Sequence, residues 1–130
     1  MVSTHLSVVI EATRDAVVAF ARDPHQLPRW AAGLAHGEVE VAEDGRLVLD
    51  APMGRVEVVF APHNDYGVLD HDVTLPSGDV VNNPVRVLAH PDGAEVVFAV
   101  RQGAASDADH AADLRAVEAD LQRLKALLEG

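Results

Sequence analysis

The sequence predicts an α+β domain with a seven-stranded antiparallel sheet, two short helices after the first strand, and a long C-terminal helix lying across one face. Three observations lead there. From His36 to Arg101 apolar and polar residues alternate with period two, and turn formers interrupt them at regular intervals; that is the pattern of strands joined by tight connections. After Ser106, Leu114, Val117, Leu121, Leu124 and Leu128 recur at spacings of three and four, the stripe of an amphipathic helix. The chain has 130 residues, 48% hydrophobic and 24% charged, which suits one folded domain over residues 1–130 rather than two small ones or a disordered chain.

The elements follow in order. Thr4 to Glu11 alternates around Leu6, Val8 and Ile10, a half-buried strand. Thr13 is placed to cap a short helix with Val17, Phe20 and Ala21 on its apolar side. Asp23-Pro24 ends it, because the residue before proline is pushed out of the α region. Pro28 and Trp30 mark a second short helix or turn that ends near Gly33. Five turns then divide the alternating stretch into six strands: Glu43 to Gly45, Pro52-Met53, His63 to Tyr66, Pro76 to Asp79, and Pro91 to Gly93. Ser106 with Asp109 three residues later resembles a capping box at the start of the last helix, which would span about 36 Å at 1.5 Å per residue.

Composition narrows the function classes. Ten Lys and Arg against 21 Asp and Glu give a formal charge of −11, which argues against nucleic acid or an anionic membrane as partner. Without cysteine there is no disulfide, thiolate chemistry or zinc ribbon. No secretory leader and no apolar run of membrane-spanning length is seen, so the expectation is a cytoplasmic protein without membrane insertion. Aromatic residues make up 4% of the chain, and Ala and Val number 21 each, so the core is built from small and β-branched side chains.

The turn lengths imply a register. The Glu43–Gly45 loop sets Val41 opposite Leu47, and Pro52-Met53 sets Leu49 opposite Val56 and Leu47 opposite Val58. Four-residue loops at His63–Tyr66 and Pro76–Asp79 set Phe60 opposite Leu69, Val58 opposite His71, and His71 opposite Pro84. A three-residue loop at Pro91–Gly93 sets Arg86 opposite Phe98 and Leu88 opposite Val96. On this register the apolar residues share one face, with three polar exceptions on it: His71, Asn82 and Arg86. Val81, Val85 and Val87 occupy the other face of the sixth strand, so a bulge in a loop there would put Asn83 in place of Asn82 and turn Arg86 to solvent.

The segment Val17 to Trp30 (VVAFARDPHQLPRW), the hairpin stretch Gly67 to Arg86 (GVLDHDVTLPSGDVVNNPVR) and the capped terminal helix resemble the START/polyketide-cyclase-like (SRPBCC, Bet v 1-like) superfamily over almost the whole chain. The resemblance implies a helix-grip fold, with the long helix across the concave face of the sheet and a cavity between them for a small hydrophobic molecule. Some members are aromatase/cyclases or dehydratases acting on polyketides; others bind or carry a ligand. By this resemblance the cavity lining would include Trp30, Val58, Phe60, Leu69, His71, Asn82, Arg86, Phe98, His110 and Leu114.

His71 is the candidate acid–base group, since imidazole titrates nearest neutral pH. Arg86 would hold a developing oxyanion beside it, and Asn82 would orient a carbonyl. Equally, His71 and Arg86 could satisfy each other and nearby backbone. Trp30 either lines the cavity mouth or plugs the core, and His110 packs on the sheet rim or touches ligand. Asp70-His71-Asp72 looks like a metal cluster, but on a strand the aspartates point away from the histidine, so no metal and no cofactor is expected. His63-Asn64-Asp65-Tyr66 reads as a turn. There is no nucleotide-binding glycine motif, nucleophile elbow or HExxH. Three functions stay open: a binder of a polyketide-, aromatic- or lipid-like ligand, a cyclase or dehydratase using His71 and Arg86, and an interaction module without a cavity. Exposed strand edges also leave room for a homodimer.

Overall fold

The computed structural model describes residues 1–32 and 35–130. Its order is β1 (Ser3–Ile10), α1 (Arg14–Arg22), α2 (Leu27–Trp30), β2 (His36–Val41), β3 (Leu47–Ala51), β4 (Gly54–Phe60), β5 (His71–Thr74), β6 (Val80–Asn83), β7 (Val85–His90), β8 (Gly93–Arg101) and α3 (Asp107–Glu129). The expected end of the second helix near Gly33 lies outside the described residues. Both longer helices start as their sequences indicate. The Thr13 hydroxyl accepts the Ala16 N–H at 3.2 Å, and the Ser106 hydroxyl accepts that of Asp109 at 3.1 Å, which satisfies donors that a helix start leaves open.

The strands form two antiparallel sheets, not one of seven strands. One has three strands in the order β1-β8-β7, and the other has five in the order β2-β3-β4-β5-β6. The expected sixth strand is broken at Pro84 into β6 and β7, because proline has no N–H to donate to a ladder. β6 pairs with β5 in one sheet, and β7 pairs with β8 in the other. A seam joins the two sheets. Val68 bridges Arg86, Leu69 N–H donates to the Val85 carbonyl, and Val87 N–H donates to that of Gly67, the last two at 2.8 Å.

The first two hairpins have the anticipated register, with Val41 opposite Leu47, Leu47 opposite Val58, and Leu49 opposite Val56. The next connection is longer than expected, so Phe60 faces His71 and Val58 faces Val73. Two later loops are each one residue shorter. Leu75 N–H bonds the Asp79 carbonyl, so the loop is Pro76–Gly78, with Gly78 at φ +91°, a conformation that needs glycine there. At the next turn His90 pairs with Gly93, leaving a two-residue loop.

The first shortening turns over the face presented by β6 and β7, and the second restores the face of β8. His71 therefore faces Asn83, and Asp72 faces Asn82. Val85 and Val87 are buried, whereas Arg86 and Leu88 face solvent. Val96 remains inside, opposite Val87. Hence the expected inner-face trio is corrected to His71 and Asn83, with Arg86 turned outward.

The core centres on Ile10, Val17, Leu27, Leu49, Val56, Val58, Val87, Val96 and Leu124, each under 2% exposed or close to it. α3 packs against β1, β8 and α2. Its C-terminal half is tied to β1, where the Lys125 ammonium donates to the Val9 carbonyl at 2.7 Å and the Glu129 carboxylate accepts the Glu11 N–H at 2.9 Å. The Arg123 guanidinium donates to the Trp30 carbonyl at 3.2 Å, which joins α3 to α2. No helix among the described residues is long and apolar enough to cross a membrane.

Candidate functional site

A cavity of about 220 Å³ opens between α2, the middle of α3 and strands β4, β5, β6 and β8. Leu27, Trp30, Val58, Phe60, Phe98, Val100 and Val117 make most of its wall, and Asn82, Asn83, Arg101, Asp113 and Asp120 add polar groups. A narrow crevice continues inward from Trp30, Phe60 and His71 towards Leu69, Val85 and Leu124.

His71 is the buried polar residue in this wall, at 7% exposure. Its ring lies 5.2 Å from that of Phe60 and 6.0 Å from that of Phe98, centroid to centroid. Nδ1 is 3.0 Å from the Leu69 carbonyl oxygen, which can only accept, so Nδ1 carries the proton. Burial pushes the imidazole below its usual pKa. The Leu69 carbonyl and the carboxylates of Asp70 and Asp72 oppose that shift with smaller effect. Neutral His71 consequently presents Nε2 as an acceptor, and the Asn83 amide donates to it at 3.4 Å, a long hydrogen bond.

The other expected site residues divide. Trp30, Val58, Phe60, His71, Asn82 and Phe98 line the cavity, and Leu69 lines only the inner crevice. Trp30 is both wall and core, 6% exposed, with its indole N–H buried and without a hydrogen-bond partner among the described residues. Asn82 lies at the rim, where it donates to Asp72 at 2.8 Å and accepts from Arg101 at 3.3 Å.

Arg86 is not beside His71. Its guanidinium makes a two-pronged ion pair with Asp70 at 2.9 and 2.8 Å on the outer face. That pairing holds the Asp70 carboxyl below its usual range and raises Arg86. His110 and Leu114 lie outside the cavity wall. His110 is buried under β1, with Nε2 3.4 Å from the Thr4 hydroxyl. The shortened Pro76–Gly78 loop explains Arg86, and the packing of α3 against β1 explains His110.

Several wall residues were not anticipated, among them Leu27, Val100, Asp113, Val117 and Asp120, and also Asn83 and Arg101. Asn83 reaches His71 because of the one-residue register change, which sequence reasoning held only as the bulged alternative. Arg101 reads as outer surface by alternation but stands at the cavity mouth, at the end of β8. The aspartates beside His71 bond elsewhere, Asp70 to Arg86 and Asp72 to Asn82. Asn64 closes its own turn by accepting from Tyr66 N–H and Val68 N–H at 3.0 and 3.1 Å.

Antiparallel sheets, a long C-terminal helix and an open cavity with His71 in its wall place the chain among α+β proteins of one fold. The chain belongs to the family described as polyketide cyclase / dehydrase and lipid transport, whose model matches residues 1–129. Solved structures share the fold at low identity. Protein CV1439 from Chromobacterium violaceum superposes with a TM-score of 0.70 at 15% identity, covering 98% of each chain. XoxI from Bacillus cereus gives 0.73 at 15% identity, covering 98% of this chain and 96% of that one. DynU16, a protein in the dynemicin biosynthetic locus, gives 0.76 at 13% identity; 98% of this chain matches 47% of that longer one. No curated protein matches the sequence significantly.

Proposed function

We propose that this protein binds a small, largely apolar organic molecule in the cavity between α2, α3 and strands β4, β5, β6 and β8, and that the molecule carries a hydroxyl or enol which donates to His71 Nε2 in place of the long hydrogen bond from Asn83. The observation that carries the reading is a buried, neutral imidazole held in one tautomer by Leu69 and surrounded by Phe60, Phe98 and Val58. An acceptor fixed in an apolar wall gives orientation at little entropic cost. At about 220 Å³ the cavity lies below the usual drug-sized range, so a compact one- or two-ring ligand fits the reading best. Arg86 has no part in it, being on the outer face with Asp70.

The test is mass spectrometry of the native protein as purified, followed by titration of Trp30 fluorescence with 2-naphthol and with naphthalene. Saturable binding of 2-naphthol is expected, and His71→Phe should weaken it by the worth of one neutral hydrogen bond, about 0.5–1.5 kcal/mol. Naphthalene should bind both proteins alike. Absence of saturation with either probe, and of any bound mass, would sink the reading.

The same imidazole favours a second reading, proton transfer during cyclisation or dehydration of a polyketone. Neutral His71 with an unprotonated Nε2 is in the form required of a general base. Exchange of the α-protons of 1-tetralone for deuterium, followed by NMR, should then be faster than in buffer and lost in His71→Gln. An exchange rate equal to the buffer rate leaves binding alone.

A further inference from the structure

A second, more open space lies outside the cavity: a groove of about 720 Å³ between α1, the β2–β3 hairpin and the segment after β4. Its walls include Val18, Val41, Val59 and Pro62, of which Val41 and Val59 are 58% and 47% exposed. Among the described residues Phe60 alone lines both the groove and the cavity. Its ring meets one partner from each. Arg22, a groove residue, holds its guanidinium 5.8 Å from the Phe60 centroid and donates to the neighbouring Ala61 carbonyl at 3.1 Å. His71, a cavity residue, lies 5.2 Å away. The guanidinium is partly desolvated, which lowers its pKa; a cation against an aromatic ring in such a setting favours the observed ring position.

We propose that Phe60 is the specificity-determining partition between cavity and groove: it sets the length of ligand the protein accepts, and an apolar tail attached to a head at His71 reaches the groove only past this ring. The inference rests on the ligand-binding reading above. With the ring in place the way from cavity to groove is closed at Phe60, and a tail directed there gains nothing by extending. With the ring removed the tail continues into the groove along Val18 and Pro62.

A series of 4-alkylphenols from ethyl to decyl, titrated calorimetrically, tests this with the hydroxyl held constant. In the wild-type protein each methylene should tighten binding by up to about fourfold until the tail meets Phe60, after which affinity should level off. In Phe60→Ala the levelling should move to chains longer by two or more methylenes, and in Phe60→Leu by a smaller step. Should Phe60→Ala fail to fold, Phe60→Leu decides. A break at the same chain length in the folded variants and the wild type would overturn the partition and leave the ligand-binding reading standing. Failure of every alkylphenol to bind the wild-type protein would overturn both.

Discussion

The two sheets differ in what covers them. In the three-stranded sheet Ile10, Val87, Ala94 and Val96 are at most 1% exposed, and helices α1 and α3 pack onto its strands. The five-stranded sheet is also well filled at Leu49, Val56 and Val58, yet it leaves Val41, Val59, Val80 and Val81 between 43% and 60% exposed. Both the cavity and the groove border this second sheet. Direct helix cover excludes water and fixes side chains, whereas a helix standing off leaves room that small residues do not fill. The space proposed for a ligand lies along the second sheet, with Phe98, Val100 and Arg101 of β8 on its other side.

The largest expected effect breaks the better-covered sheet. Ile10→Ala removes a fully buried side chain and should cost about 2–5 kcal/mol in urea unfolding. Val81→Ala, on the exposed edge strand of the other sheet, should stay within about 0.5 kcal/mol. Equal costs at the two positions would contradict the contrast between the sheets.

The next effect is one of pH. The native pKa of His71 lies below the ordinary value of 6.5, so between the two values the unfolded chain binds the extra proton. The stability that depends on neutral His71 is therefore complete above the unfolded pKa and is lost as pH falls through the window below it, with a slope of up to about 1.4 kcal/mol per pH unit. Unfolding of wild type and His71→Phe between pH 7.5 and 5.0 should show the wild type losing more. Parallel profiles would mean that His71 is hydrated enough to charge freely.

The smallest effect is at the seam. Arg86 is half exposed, and its pair with Asp70 sits on the outer face, so Arg86→Ala should cost about 0.2–1 kcal/mol, less at high salt. Binding of 2-naphthol should be unchanged. A loss of binding as large as that of His71→Phe would place Arg86 in the site after all and contradict the register.

Much of the fold is legible in the residues themselves. Thr13 and Ser106 announce helix starts, Asp23-Pro24 announces an end, and the leucine spacing of α3 selects the face that carries Leu121 and Leu124. Strand alternation puts Val56, Val58 and Val96 inside, and the resemblance to the polyketide-cyclase-like superfamily agrees with the family match. The site is legible in part. Trp30, Phe60, His71 and Phe98 come together, but Arg86, His110 and Leu114 do not join them.

The reason lies in loop length. Side chains on a strand alternate strictly, so a loop shortened by one residue reverses every side chain of the strand that follows. Two such shortenings, at Pro76–Gly78 and Pro91-Asp92, cancel by β8. The inner residues of β8 were therefore right although those of β7 were reversed.

By itself the sequence determined most of the strand and helix segments, where the longer helices begin, and that the interior is built from small apolar residues around His71. Those properties are local: they follow from spacing, caps and side-chain chemistry within a few residues. Only the tertiary structure decided that Pro84 divides the strands between two sheets, that Asn83 rather than Arg86 accompanies His71, and that Phe60 stands between groove and cavity. Each of these depends on how strands pair across their loops and on how helices and sheets meet, where a single residue of register selects one neighbour over another.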